Sequence, residues 1–499
     1  MTQRVVIIVR SEQKGLFASI GLLLSEDLEV LFVADSRDAA NVIKKIFHNQ
    51  KPNILIEPDY RKLTQPEANS IKKAQEREEI YDIRYSLIIS MDRALGRGYL
   101  INVDNYPIVK RANWTRQQKF DVINRRFEFF EKVLVGNTVL ISQWPEVVPT
   151  AICNTLGKKH FHLVEARYGS RMMWSDGDRL RGTKIRRILE ENIEKTRLAN
   201  TCSEIPINPS NYTASGLGKV GLALGAKLVT RHATLKEIFK YIFRRLQLTL
   251  IGRGKSNSYP FLAWLPIILK RRRHFLYLSK IGLRPVDLAN VRVAYFPLQM
   301  EPEISLQQMG YELNNANEVI TWISKSISAS TILVVKEQPK ILGHRSKMFY
   351  RNIAMLGNVV FSDPGVDSWD WIRQSYFVVS IVGGVGQEAV HLGKPVVSFG
   401  RDQIINQLPT VFLARTYENV KEAIDKIDSG VINELNLEKA KRALGDAIYK
   451  SSFELEEYKD SFHGVDFDET SYLVLNELEK AFPNAIENRS LHSRTQLEK

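Results

Sequence analysis

The chain has 499 residues, 44% hydrophobic and 25% charged, which is the ordinary globular range and excludes global disorder. At roughly 100–200 residues per domain it has room for two or three domains, each with its own core. Lysine and arginine number 70 against 56 aspartate and glutamate, a net charge of +14. A protein this basic meets anions: nucleic acid, anionic lipid, or phosphorylated and acidic substrates. The two cysteines, Cys153 and Cys202, stand in no CxxC. No His/Cys cluster has zinc-ligand spacing, so both are read as buried free thiols, which fits a reducing compartment or simple neglect of disulfides.

The first apolar run, Val5 to Val9, is closed by Arg10. It is too short for a signal-peptide core and reads as a buried strand. No apolar run reaches the roughly 18 residues of a membrane span. The expected location is therefore the cytoplasm. A helical pattern runs to Leu24, a strand covers 29–35, a helix ends near His48, and a strand covers 53–58. Residues 66–98 are charged and helical. A strand at 137–143, a helix from Pro149 to Leu156 and a strand at 160–166 complete the series. Strands alternating with helices imply βαβ units and a parallel sheet. They define a first domain over 1–200.

Residues 201–290 lack this alternation and read as a basic, partly apolar connecting segment. Between Lys236 and Arg273 stand ten Lys/Arg and one acid, Glu237, a net of +9. The same segment carries the run PFLAWLPIIL at 260–269, followed by Lys270, Arg271, Arg272 and Arg273. From 291 the alternation returns. Strands are expected at 291–296, 331–336, 358–363 and 377–382, and helices at 315–327, 416–427, 434–450 and 469–482. This gives a second domain over 291–482 with trailing helices, and a flexible tail over 483–499. The fold class is α/β: two Rossmann-like domains with parallel sheets and a cleft between them.

The most informative stretch is SIVGGVGQEA at 380–389. Gly383 and Gly384 at a strand end let a backbone approach a ligand closely. A helix beginning near Gly386 turns free N–H groups and its positive dipole end toward the loop. Glu388, in the first turn, can accept hydrogen bonds from ribose or sugar hydroxyls. Read structurally, the same stretch is a tight turn with a favourable first-turn acid. A second strand exit carries Glu301 and Glu303, and a third carries Lys336 before Gln338 and Pro339. Ligands of open α/β sheets bind outside the carboxyl ends of the strands. Lys336 there can pair with a phosphate.

In order, FPLQMEPE, VKEQP and GGVGQEAVHLGKPVVSFG resemble the carboxyl-terminal half of the capsular polysaccharide biosynthesis family. That family includes Kdo transferases of GT-B-type fold. The resemblance implies a nucleotide sugar held by Glu303, by Lys336 with Pro339, and by Gly383, Gly384, Gly386 and Glu388. The family usually has His before the proline of the second motif, where this chain has Gln338. A neutral amide donates a hydrogen bond but cannot protonate a departing phosphate.

In the first domain Gln143-Trp-Pro-Glu146 and Glu165-Ala-Arg167-Tyr168 follow consecutive strands. Glu146 and Glu165 are the candidate catalytic base or nucleophile, and Arg167 a candidate for holding an acidic sugar or phosphate. Asp176/Asp178 and Asp466/Asp468 match a DxD spacing but follow no clear strand, so no metal and no resident cofactor is expected. Departing phosphate charge would then fall to Lys336 and the helix N-terminus. The expected function is glycosyl transfer from a nucleotide sugar to a lipid-linked or growing surface glycan. The alternatives are a sugar-nucleotide 2-epimerase of the same architecture and a non-catalytic assembly or export factor. The basic segment 236–273 reads either as a solvated charged surface or as an attachment to the anionic inner membrane surface, which would make the protein peripheral. No nucleic-acid partner is expected, because no binding motif accompanies the charge.

Overall fold

The computed structural model describes residues 3–10, 13–48, 50–58, 65–91, 95, 114–177, 182–198, 239, 243, 246, 261–301, 306, 310, 313, 315–338, 342–343, 345–401, 403–455 and 467–486. The first half runs β1 (Arg4–Val9), α1 (Lys14–Leu24), β2 (Glu29–Ala34), α2 (Arg37–Ile46), β3 (Asn53–Ile56), α3 (Ser70–Tyr81), α4 (Tyr85–Met91), α5 (Arg116–Val133), β4 (Thr138–Ser142), α6 (Val147–Thr155), β5 (His160–Glu165), β6 (Arg171–Ser175) and α7 (Thr183–Leu198). The second half runs α8 (Phe261–Ile281), β7 (Arg292–Pro297), α9 (Ala316–Ser326), β8 (Thr331–Lys336), α10 (Lys347–Ala354), β9 (Val359–Phe361), α11 (Ser368–Gln374), β10 (Phe377–Ser380), α12 (Gly384–His391), β11 (Val396–Ser398), β12 (Val411–Leu413), α13 (Tyr417–Asp428), α14 (Glu434–Ser451), β13 (Phe453–Glu454) and α15 (Phe467–Ala481).

The strands β1, β7, β8 and β10 are unbroken apolar runs because helices cover both faces of each sheet. Side-chain caps set where helices begin. Ser36 accepts from the Ala39 N–H at 3.2 Å, and Thr115 with Gln118 forms a capping box at α5. The first sheet is seven-stranded, in the order β13-β6-β5-β4-β1-β2-β3. The second is six-stranded, in the order β12-β11-β10-β7-β8-β9, with every pair parallel. Each sheet reverses direction at its first strand: β1 lies between β2 and β4, and β7 between β8 and β10. These are doubly wound orders, and such a reversal opens a crevice at the carboxyl ends of the two strands. The chain is thus a two-domain Rossmann-like α/β protein.

The structure departs from the sequence reading in four places. First, β6 is antiparallel to β5, and β13 pairs antiparallel to β6, with Phe453 opposite Met172. Second, the end of the chain does not stay with the second domain. Val474, Leu475 and Leu478 of α15 share a core with Val5, Ile7 and Phe17, and the Trp174 indole donates to the Val474 carbonyl at 2.8 Å. Apolar burial decides this, since the exposed side of α1 needs a cover. Third, part of the tail expected to be flexible is packed: Ala485 and Ile486 are 2% and 5% exposed. Fourth, α8 lies in the expected connecting segment yet docks on the second domain. Leu278 enters its core and the buried His274 ring meets Tyr350 edge-on at 5.3 Å. Of that segment, 201–238 (with Cys202), 240–242, 244–245 and 247–260 lie outside the described residues, as do Glu303, Pro339, Asp178 and Asp466. The helices α14 and α7 join the domains, with Ile185 and Leu189 packed among Ala440, Ala443, Leu444 and Ala447. The Asn192 amide donates to the Ala443 carbonyl across that seam.

Candidate functional site

The second switch point, between β7 and β10, is where the glycine turn falls. Gly383 follows β10 with φ +107° and caps α12. That backbone region is open to glycine and strained for other residues. A side chain there would also stand 3.1 Å from the Gln299 amide oxygen, at the exit of β7. Gly386 packs against Ile405, where a Cβ would come within 2.5 Å. Gly384 lies under the Glu388 carboxylate, which curls back over the first turn of its own helix. The motif is therefore a shaped surface at the crevice. Gly383→Ala is expected to lower unfolding stability by about 1–3 kcal/mol through backbone strain. A denaturant midpoint equal to wild type would mean that the turn relaxes freely.

Glu388 is half-buried, and its pKa is pushed up to about 7. Burial is the main cause, the Asp367 charge adds to it, and Arg167 pulls the other way. Asp367 is the N-cap of α11 and accepts from the Trp369 N–H at 2.9 Å. Arg167 comes from the other domain. It sits in the β5–β6 turn with φ +57°, where Ala166 and Arg171 close the hairpin by a 3.0 Å hydrogen bond. In the same turn the Tyr168 ring lies 6.3 Å from that of His391, the last residue of α12. His391 is buried and its pKa is depressed to about 3, first by burial and then by Lys441, so it is neutral. The first domain thus lays a cation and an aromatic ring over the glycine turn and helix of the second.

Lys336, at the end of β8, is 5% exposed. Burial holds its pKa below the ordinary lysine value, while Asp367, Glu337 and Asp363 act against that. It makes no ion pair among the described residues. A buried cation of this kind at a crevice is available to an anionic ligand.

Glu301 takes a different place from the one its position suggested. It is 2% exposed and paired with Arg345 at 3.2 Å, and Arg345 also pairs with the buried Glu337. The Tyr350 hydroxyl donates to Glu337 at 2.6 Å, the Gln338 N–H donates to it at 2.7 Å, and Arg345 donates to the Gln299 carbonyl at 2.9 Å. Glu301 is therefore half of a clamp on two strand-exit loops, where the sequence suggested direct contact with ligand. Gln338 takes part through its backbone, and its side chain is half-buried.

The first domain's switch point, between β1 and β4, holds a cluster of four charges. Arg10 makes a bidentate pair with Glu146 at 2.6 Å and 2.6 Å and reaches Glu57 at 2.5 Å. Arg126 bridges the same two carboxylates, 3.0 Å from Glu57. Burial would raise the Glu146 pKa, but Arg10 and Arg126 outweigh it and hold the value at about 2. A carboxylate so paired is a weak proton acceptor, so Glu146 anchors its loop. Glu165 is half-buried at the carboxyl end of β5, beside the Arg167 turn. Asp176 accepts hydrogen bonds from Thr183. Among the described residues no group of three His, Cys, Asp or Glu could hold a metal ion.

Sequence reasoning missed Arg345, Asp367 and Gln299. Only Asp367 left a signal, an aspartate ahead of the helical run SWDWIRQ.

No family model and no curated protein matches this sequence. Solved structures give weak likenesses over most of the chain. A UDP-GlcNAc 2-epimerase from Neisseria meningitidis bound to UDP-GlcNAc is 13% identical, covering 96% of this chain and 100% of that one, with a TM-score of 0.28. A glycosyltransferase from Rickettsia africae is 10% identical over 97% and 99%, with a TM-score of 0.29. KpsC of Thermosulfurimonas dismutans, a beta Kdo 2,7 transferase, is 11% identical over 62% and 80%, with a TM-score of 0.28. At such values none of the three bears on activity, and the fold rests on the strand orders.

Proposed function

We propose that this protein is a glycosyltransferase that takes a nucleotide-sugar donor at the turn of Gly383, Gly384 and Gly386 and passes the sugar to a surface glycan. One observation carries the reading. At the second switch point the half-buried Glu388 of a glycine turn feels the charge of Arg167 from the opposite domain, and Asp367 interacts with both Glu388 and the buried Lys336. The amino end of α12 and Lys336 would bind the phosphates, Glu388 the sugar or ribose hydroxyls, and Arg167 an acidic group of donor or acceptor. Of the two acids expected to be catalytic, Glu165 is the better base, since Glu146 is held by two arginines. Electrostatic stabilisation of the departing phosphate would come from Lys336 and the helix N-terminus.

A sugar-nucleotide 2-epimerase is the second reading. A Glu388 that changes protonation near neutrality suits an enzyme that must remove and return a proton. Incubation of pure protein with UDP-, GDP- and CMP-sugars, with and without a glycan acceptor, separates the readings. Free nucleotide released only with acceptor supports transfer. An altered sugar without acceptor supports epimerisation. No turnover and no nucleotide-dependent rise in melting temperature overturns both and favours an assembly factor.

A membrane-side acceptor fits the outer face of α8. Leu269, Leu276, Tyr277 and Ile281 are 53%, 40%, 41% and 37% exposed, and Arg273 and Lys280 are exposed on the same face. Lys270, Arg271 and Arg272 have partners within the protein. Among the described residues no helix is long and apolar enough to cross a membrane. Basic residues beside an anionic leaflet contribute roughly 1 kcal/mol each, screened by salt. The protein is expected to co-sediment with anionic vesicles and to be released by salt. Arg273→Gln with Lys280→Gln should weaken binding without changing turnover on a soluble acceptor. Failure of the wild type to bind anionic vesicles at low salt would remove this role.

A further inference from the structure

A depression of about 600 Å³ lies at the amino edge of the first sheet, the end opposite the Arg10–Glu146 cluster. Separate elements bring cations to it. Lys158 and Lys159 immediately precede β5, and Lys184 and Arg187 stand in the first turns of α7. The chain after α15, turning through Phe482 and Asn484, closes another wall.

The charges around this depression are unbalanced. Its one lining carboxylate among the described residues, Asp176, is already engaged, accepting from the Thr183 N–H at 2.7 Å and from the Thr183 hydroxyl. Lys158 donates to the Gly136 carbonyl, and Lys159 donates to the Asn484 carbonyl at 2.8 Å. Neutral carbonyls hold these ammonium groups in place and leave their charge intact. Among the described residues Arg187 pairs only with Glu191, 3.8 Å away on the next turn. Lys184 is half-buried and pairs with no carboxylate among the described residues. Burial lowers its pKa, Glu477 opposes this, and Arg187 and Lys480 lower it further. Like charges gathered beside a low-dielectric wall repel one another, and an anion between them reverses the sign of that energy. The Phe482 ring, packed 5.1 Å from Phe161, adds an apolar wall. The depression falls within the size range of small-molecule sites.

We propose that this depression is a second ligand site, separate from the Glu388 turn, for a small soluble phosphorylated compound. The phosphate groups sit among Lys158, Lys159, Lys184 and Arg187, and the organic part lies against Phe482. The site does not depend on the activity assigned to the Glu388 turn.

Lysine footprinting tests it with inorganic pyrophosphate as the probe. The full chain is acylated with an amine reagent at increasing pyrophosphate, with sodium chloride matching the ionic strength, and each lysine is followed by mass spectrometry. Saturable protection of Lys159 and Lys184 by several-fold is expected. Lys184→Gln with Arg187→Gln should raise the half-saturating concentration for Lys159 by about tenfold, about 1.4 kcal/mol. The same variant should keep its melting temperature and its response to nucleotide sugars. Protection no greater than in the salt control, or protection unchanged in the double variant, overturns the proposal. So does protection given by vesicles with phosphate headgroups but not by pyrophosphate, which would make the source a lipid surface.

Discussion

Arg345→Leu is expected to cost about 3–5 kcal/mol of stability in the second domain, the usual loss when one partner of a buried ion pair is removed. Arg345 is fully buried and pairs with both Glu301 and Glu337, each no more than 2% exposed. Without it two carboxylates face each other in a low-dielectric interior, where the Tyr350 hydroxyl, backbone N–H groups and the Lys336 charge compensate them only in part. Each would have to take up a proton or draw in water. The damage should reach the proposed nucleotide-sugar site, because the clamp ties together the exits of β7 and β8, where Gln299 and Lys336 lie. Nucleotide affinity should therefore fall along with stability. Equilibrium unfolding in urea, followed by a probe in the second domain, measures the loss; a probe of the whole molecule would mix two domain transitions. Replacing all three charges together, Glu301→Gln, Arg345→Met and Glu337→Gln, should be far milder, since a buried ion cluster can be exchanged for neutral groups at little cost. A single Arg345→Leu variant as stable as wild type would show that the two carboxylates do not need this countercharge.

That clamp also shows where sequence reading stops. Glu301 and Lys336 were legible as strand-exit residues, because an apolar strand ending in polar residues points to the carboxyl edge of a sheet. Nothing local announced Arg345. It follows no strand, and its partners come together only once β7 and β8 are paired. The same holds at the other switch point. Glu146 follows a strand and so reads as a cleft-facing acid, but Arg10 lies 136 residues earlier. One countercharge is enough to turn a candidate base into an anchor. The glycine turn was legible because its information is local. Gly383 is demanded by its own φ, and Glu388 lies one helical turn beyond it.

The fold follows the same division. Strands buried on both faces, such as VVIIV and ILVV, stand out as apolar runs. The helix α5 did not, because Phe120, Ile123, Phe127 and Phe130 are set among glutamates that pair with Arg77 and Lys73 of α3 and an Arg126 that pairs with Glu57 and Glu146. Where α15 docks depends on which apolar face is left uncovered, and chain order does not record that. The final helix follows the second domain in sequence and completes the first in space.

Glu388→Gln should produce the largest functional change, and its signature is in the pH profile. In the wild type the carboxyl titrates at about 7, against an ordinary value of 4.5. The folded protein therefore holds this proton more tightly than the unfolded chain does. The resulting stabilisation is complete below about 4.5 and is lost as pH rises through about 7. Ligand binding should run the other way. Only the ionised carboxylate offers acceptors on both oxygens, so affinity for a nucleotide sugar should rise with pH and level off above 7. The pyrophosphate of a UDP- or GDP-sugar has no group titrating in that window, so the midpoint reports on the protein. The glutamine variant keeps the shape of the side chain, removes the titration and forfeits a charged hydrogen bond, a loss of about 1–3 kcal/mol in affinity at pH 8. At pH 6, where most wild-type carboxyls are already protonated, the two proteins should bind more nearly alike. Titration calorimetry at both pH values is the measurement. A wild-type affinity that is flat between them, or a glutamine variant that keeps the rise, would remove Glu388 from the ligand and leave it as a helix-turn acid.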